Sequence, residues 1–123
     1  MAAAMNDLVL DAALSYIDAN TETLHILKAD PGVVWANIAT HGIGNKATPT
    51  INVPEDATSG RKIVVPAITD GTVTATDTAT HFALTDDTGT EILVSQALSA
   101  SQAVISGNTF TLTEIEINIP DPA

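Results

Sequence analysis

Cysteine is absent from the 123 residues, which removes both a disulfide framework and a thiolate metal site. Aromatic rings are almost as scarce. Trp35, Tyr16, Phe82 and Phe110 are the only four, so the core has to be built from Ile, Val, Leu and Ala. Cations are few as well: four Lys and Arg stand against fifteen Asp and Glu, for a formal net charge of −11. A surface of that sign repels phosphate backbones and anionic lipid, so neither nucleic acid nor a membrane is an expected partner. No run approaches the roughly 18 apolar residues needed to span a bilayer. The first ten residues lack a basic n-region, and Asp7 and Asp11 interrupt any apolar stretch, so no signal peptide is expected. The chain contains no Asn-x-Ser/Thr sequon. These absences together fit folding in a reducing cytoplasm.

What is abundant is threonine, with eighteen residues concentrated in the middle of the chain. Threonine and the other β-branched residues fit a pleated surface better than a helix. The expected fold is therefore mainly β: a single antiparallel β-sandwich or jelly-roll-like domain over residues 1–123, with one N-terminal α-helix. Residues 1–20 carry the helix, 21–60 hold strands and a long loop, and 61–123 form a regular antiparallel core.

Asn6 or Asp7 is a suitable N-cap, and Asp7 and Asp11 favour the positive end of a helix dipole. Leu10, Ala13, Leu14 and Ile17 recur at helical spacing, widened by Val9 and Tyr16, and Asn20 is placed to end the helix. Leu24 to Lys28 reads as a short strand closed by Asp30-Pro31-Gly32. Residues 33–40 read as a second strand or an irregular segment. Residues 41–60, rich in glycine and proline, read as a long ordered loop with one short strand near Thr50 to Val53. Further on, Pro66 places its strand at an edge or bulge. Asp70-Gly71 between β-formers is the signal for a tight hairpin. Phe82 and Leu84 share one face of the next strand, with His81 and Ala83 on the other. Asp86-Asp87-Thr88-Gly89 turns the chain into a strand over 91–98, and Ser99-Ala100-Ser101 leads to a short run over 102–105. Phe110 and Leu112 differ in parity from Ile115, Ile117 and Ile119, so a bulge near Thr113-Glu114 is needed to keep one apolar face.

No constellation for chemistry emerges. His25, His41 and His81 lack ligand spacing, and Gly42-Ile43-Gly44 is too short to cradle a phosphate. Asp86, Asp87 and Glu91 resemble a solvated hairpin tip more than a calcium loop. Neither a catalytic residue, a cofactor nor a metal is expected.

The runs Ser59-Gly60-Arg61-Lys62, Ala67-Ile68-Thr69-Asp70-Gly71-Thr72-Val73 and Ala79-Thr80-His81-Phe82-Ala83-Leu84 resemble a group of small virion structural proteins of tailed bacteriophages and prophages. So do Leu98-Ser99-Ala100-Ser101-Gln102, Ser106-Gly107-Asn108-Thr109-Phe110-Thr111-Leu112, the stretch from Ile115 to Pro120, the opening helix and Gly44-Asn45-Lys46. The resemblance implies a component of the virion, assembled in the host cytoplasm, and no catalytic residue. A short, stalkless, acidic chain suits a capsid decoration (cement) protein that binds the major capsid protein as a homotrimer. A tail, fibre or adaptor component, or a host- or glycan-binding β-module, is the alternative. The residues expected at the interface are Leu10, Leu14 and Ile17 on the helix, with Trp35, Ile43, Pro49, Ile51 and Pro54 along the long loop.

Overall fold

A computed structural model describes residues 5–121. The first element is helix α1 (Asp7–Asn20), begun where the Asn6 side chain accepts a hydrogen bond from the Leu8 amide at 2.8 Å. It ends at Thr21, whose backbone is extended and whose amide and hydroxyl both donate to the Ile17 carbonyl. Nine strands and a second, short helix follow: β1 (Thr23–Leu27), α2 (Ala36–His41), β2 (Gly42–Ala47), β3 (Glu55–Asp56), β4 (Arg61–Val65), β5 (Ile68–Val73), β6 (Asp77–Asp86), β7 (Glu91–Val104), β8 (Thr109–Leu112) and β9 (Ile115–Ile119). The strands form a six-stranded sheet in the order β7-β6-β1-β2-β5-β8 and a three-stranded sheet in the order β3-β4-β9. Every pairing is antiparallel. The chain is thus mainly β and sandwich-like, with α1 packed against β4 and β6.

One core joins the two sheets and the helix. Leu14, Leu24, Ile26, Ile43, Ile63, Val65, Phe82, Leu84, Phe110, Leu112 and Ile117 are buried together in it, with Ile17, Ile115 and Ile119 packed against its edge. The expected pairing of Phe82 and Leu84 on one face holds, and Ala83 on the opposite face joins a second cluster with Leu27 and Ile92. Trp35 and Ile38 cover that second cluster.

Four local expectations are corrected. Residues 33–40 form neither strand nor loop throughout; α2 begins within them at Ala36. The first third of the supposed long loop is strand, because β2 occupies the middle of the large sheet between β1 and β5, while the short strand expected near Thr50 to Val53 is absent and β3 lies at Glu55–Asp56 instead. Gly44 of β2 reads as loop in sequence but serves close strand packing. A Cβ at Gly44 would lie 2.7 Å from the Thr72 carbonyl oxygen and 2.9 Å from Ile26 Cγ1. Asp70-Gly71 is not a hairpin turn either. Both residues lie inside β5, where the ladder to β8 slips so that Thr69 and Asp70 oppose the single residue Thr111. The Phe110 ring fills the place a Cβ on Gly71 would take. Finally, the expected bulge near Thr113-Glu114 is a full break, across which the chain passes from the six-stranded sheet at β8 to the three-stranded sheet at β9. That switch lets Phe110, Leu112 and Ile117 share one core despite their parity.

Candidate protein-binding surfaces

The residues expected at an interface mostly serve the interior. Leu10, Leu14 and Ile43 are fully buried, while Ile17 and Ile51 pack against the main core and Trp35 against the smaller cluster. Pro49 and Pro54 are half-buried. Helical periodicity found the inward row of α1, and of its two possible uses, covering the chain's own sheet or docking on a neighbour, the row serves the first. An apolar row buried in the chain's own core offers nothing to a neighbour.

What α1 does expose is the other side. Leu8 (77%), Val9 (56%) and Tyr16 (56%) stand in solvent, with the exposed Ala12 and Ala13 between them. The helix is therefore apolar on both faces, the pattern of a helix enclosed by neighbours. It is fixed in orientation by a fork. Arg61 Nε donates to Asp11 Oδ1 at 2.8 Å and Nη2 to Asp11 Oδ2 at 3.3 Å, while Nη1 reaches Asp56 at 2.6 Å. These hydrogen bonds, from Asp11 first and then Asp56, hold the Arg61 guanidinium protonated more firmly than usual. Lys62 is likewise raised, chiefly by its 2.8 Å bond to Glu116, and Lys46 pairs with Asp70 at 3.0 Å. With three of the four cations so engaged, the remaining surface is strongly acidic.

The acidic turn is occupied locally, whereas the buried His25 Nε2 and His41 Nδ1 have no hydrogen-bond partner among the described residues. His25 Nε2 lies 3.8 Å from Asp87 Oδ1. Burial pushes this imidazole below its ordinary range, and the neighbouring carboxylate opposes that shift only in part. Asp87 also accepts bonds from the Thr85 and Thr23 hydroxyls. Asp86 Oδ1 accepts from the Gly89 amide at 3.0 Å, and Glu22 accepts from the Thr88 amide at 2.9 Å. Each of these carboxylates thereby ties the β6–β7 turn to itself or to the start of β1. Thr80 Oγ1 and His81 Nδ1 are bonded to each other at 2.9 Å. Among the described residues no three His, Asp or Glu side chains gather as a cation cage. No helix among them is long and apolar enough to cross a membrane. The Trp35 ring, the one candidate for a sugar platform, faces Leu27 and Ile92.

One concavity of about 490 Å³ opens where the two sheets part. Its walls are residues 96–102 of β7, residues 111–116 across the β8–β9 break, and the corner at 67–69 between β4 and β5; Phe82 and Ile68 lie at its floor. The gap arises because β7 peels away from β6. Ala79 pairs with Gln102 and His81 with Ala97, so residues 98–101 bulge out opposite Thr80 alone. No stretch of sequence announces this groove, since its walls are three irregular points brought together only by the fold. Comparison with protein-family models, with curated proteins and with solved structures finds no match to this chain.

Proposed function

We propose that this protein is a non-enzymatic structural component of a tailed-phage particle, and specifically a decoration protein that docks as a homotrimer on the outer surface of the assembled head. The observation that carries the reading is the outward row of α1. Leu8, Val9 and Tyr16 remain exposed on a helix whose other face already holds the core, and a solvent-exposed apolar row on a rigidly anchored helix is a surface made for another protein. The acidity supports an outer position, away from packaged DNA. The compact β architecture, with the carboxylates of the β6–β7 turn tied up in local bonds, supports a role in binding rather than in turnover. The resemblance in residues 59–120 supports the virion as its place.

The test adds purified protein to undecorated capsids. Saturable binding at a fixed ratio to the major capsid protein, and capsids that survive higher temperature, are expected. The double variant Leu8→Ser, Val9→Ser should keep the melting temperature of the isolated protein, since both side chains are exposed, and lose most of the capsid binding. Sedimentation of the free protein reports the trimer. Labelling at the tail with no capsid binding would move the chain to a tail, fibre or adaptor role.

A further inference from the structure

Of the four strands that end the two sheets, β7, β8, β9 and β3, the first three line a single groove. Among the described residues no backbone hydrogen bond joins β7 to β8 or β9. One side chain crosses between them: Gln102 Nε2 donates to the Thr111 carbonyl at 3.0 Å. β7 and β8 are consecutive in sequence, joined by the short turn at 105–108, yet they diverge from that turn into a wedge. The wedge is apolar at its floor, through Phe82, Ile68 and Leu112, and rich in backbone amides and carbonyls at its walls.

An unpaired edge is normally shielded by lysine, proline or a covering element, because it invites another strand. Here the shielding residues are missing. Residues 92–113, which include nearly all of β7 and the whole of β8, hold no Asp, Glu, Lys, Arg or Pro in a chain of net charge −11. Glu114 and Glu116 line the wedge, Glu116 paired with Lys62 at 2.8 Å and Glu114 with no cation bonded to it among the described residues, and none of the lining residues is itself a cation. A second copy would bring a further −11 against this acidic body. A basic segment would be drawn toward it.

We propose that this groove receives an extended segment of another protein by strand addition: apolar on alternate residues, flanked by lysine or arginine, and bonded through its main chain to β7 on one side and β8–β9 on the other. Such a strand closes the gap between the sheets and displaces the Gln102 side chain from Thr111. The inference deepens the reading of the chain as a decoration protein, and it rests on that reading only for the identity of the donor, a capsid subunit.

The probe is a synthetic seven-residue peptide of alternating valine and threonine with a lysine at each end. Titration calorimetry on the full chain should show saturable binding, with slowed hydrogen exchange at amides 98–102 and 113–116. Glutamate at both ends, or proline in place of the central valine, should weaken binding at least about tenfold, the first by charge and the second by removing a main-chain donor. Ser99→Lys, an exposed change in the bulge, should weaken the lysine-ended peptide similarly and leave the melting temperature unchanged. The proposal is overturned if the peptide does not bind, if proline makes no difference, or if protection falls on α1. It is equally overturned if amides 98–102 are protected by self-association of the protein alone. Capsid binding that persists in Ser99→Lys while the peptide no longer binds removes the capsid subunit as the strand donor and leaves the decoration role intact. Peptide binding without capsid binding upholds the groove and removes that role.

Discussion

The two faces of strand β6 are built differently. On one, Phe82 and Leu84 sink into a large core made entirely of aliphatic side chains and Phe. On the other, Ala83 and Thr85 meet a small cluster and a polar network: Leu27, Ile92, Trp35 and Ile38 at one end, His25, Thr23 and Asp87 at the other. Antiparallel sheets commonly leave one face to water; here α2 and the segment before it cover the centre of the second face as well. The inner face contributes stability through area removed from water. The outer face contributes less area and depends on hydrogen bonds whose strength follows protonation.

The largest effect that would sharpen this contrast is at Leu84. Its truncation in Leu84→Ala should destabilise by about 2–5 kcal/mol, read from chemical denaturation, because it opens a cavity in the inner core. A loss below about 1 kcal/mol would break the comparison, since that is the cost of a site that collapses freely or is only half-buried. Next comes Gly71→Ala. An added methyl meets the Phe110 ring, and a cost of about 1–3 kcal/mol is expected from overpacking. The paired variant Gly71→Ala, Phe110→Leu should recover part of it. On the outer face the expected effects shrink. Thr85 is fully buried, and its hydroxyl bonds Asp87 at 2.8 Å; Thr85→Val keeps the shape and loses the bond, at about 1 kcal/mol.

The smallest effect carries a sign. Burial lowers the His25 pKa in the folded chain from its ordinary 6.5, so the unfolded chain binds that proton more readily. Stability should be independent of His25 above about pH 7 and decline as the pH falls below 6.5 toward the depressed folded value. Thermal melts of the wild type should drop more between about pH 7 and 5.5 than those of His25→Gln. Equal slopes would show that the outer network does not sense the proton.

Much of the inner face was legible from local pattern. The 3.6-residue repeat of Leu10, Leu14 and Ile17 marked the inner side of α1, and the alternation at Phe82 and Leu84 marked β6. The Asp86–Gly89 turn was legible because its side-chain bonds are local. What failed was whatever depends on a distant neighbour. β2 hid behind Gly42 and Gly44, which are small because Ile38, Ile26 and Thr72 crowd them. The Asp70-Gly71 pair has the chemistry of a turn and the environment of a bulge. α2 has a Trp at its N-cap and no side-chain cap, so nothing announced it. Part of the exposed row of α1, Val9 and Tyr16, was in view as residues that widened the stripe; Leu8 was not, and only the packing revealed which row faces outward.

The strand order has a consequence in time. β1 sits at the centre of the six-stranded sheet, paired on one side with the nearby β2 and on the other with β6, whose partner residues for it run from His81 to Thr85. During synthesis β1 leaves the ribosome early and waits until about two-thirds of the chain has been made before its second edge can be filled. The core side chains Leu24 and Ile26 stay without Phe82 and Leu84 for that interval. Contacts so far apart in sequence make folding slow, on the scale of milliseconds to seconds, because the loop must close before its contacts reward it. A nascent chain halted before residue 80 can pair β1 only with β2, which in turn pairs with β5, and pulse labelling of stalled chains should find the β1 amides that face β6 unprotected until β6 emerges.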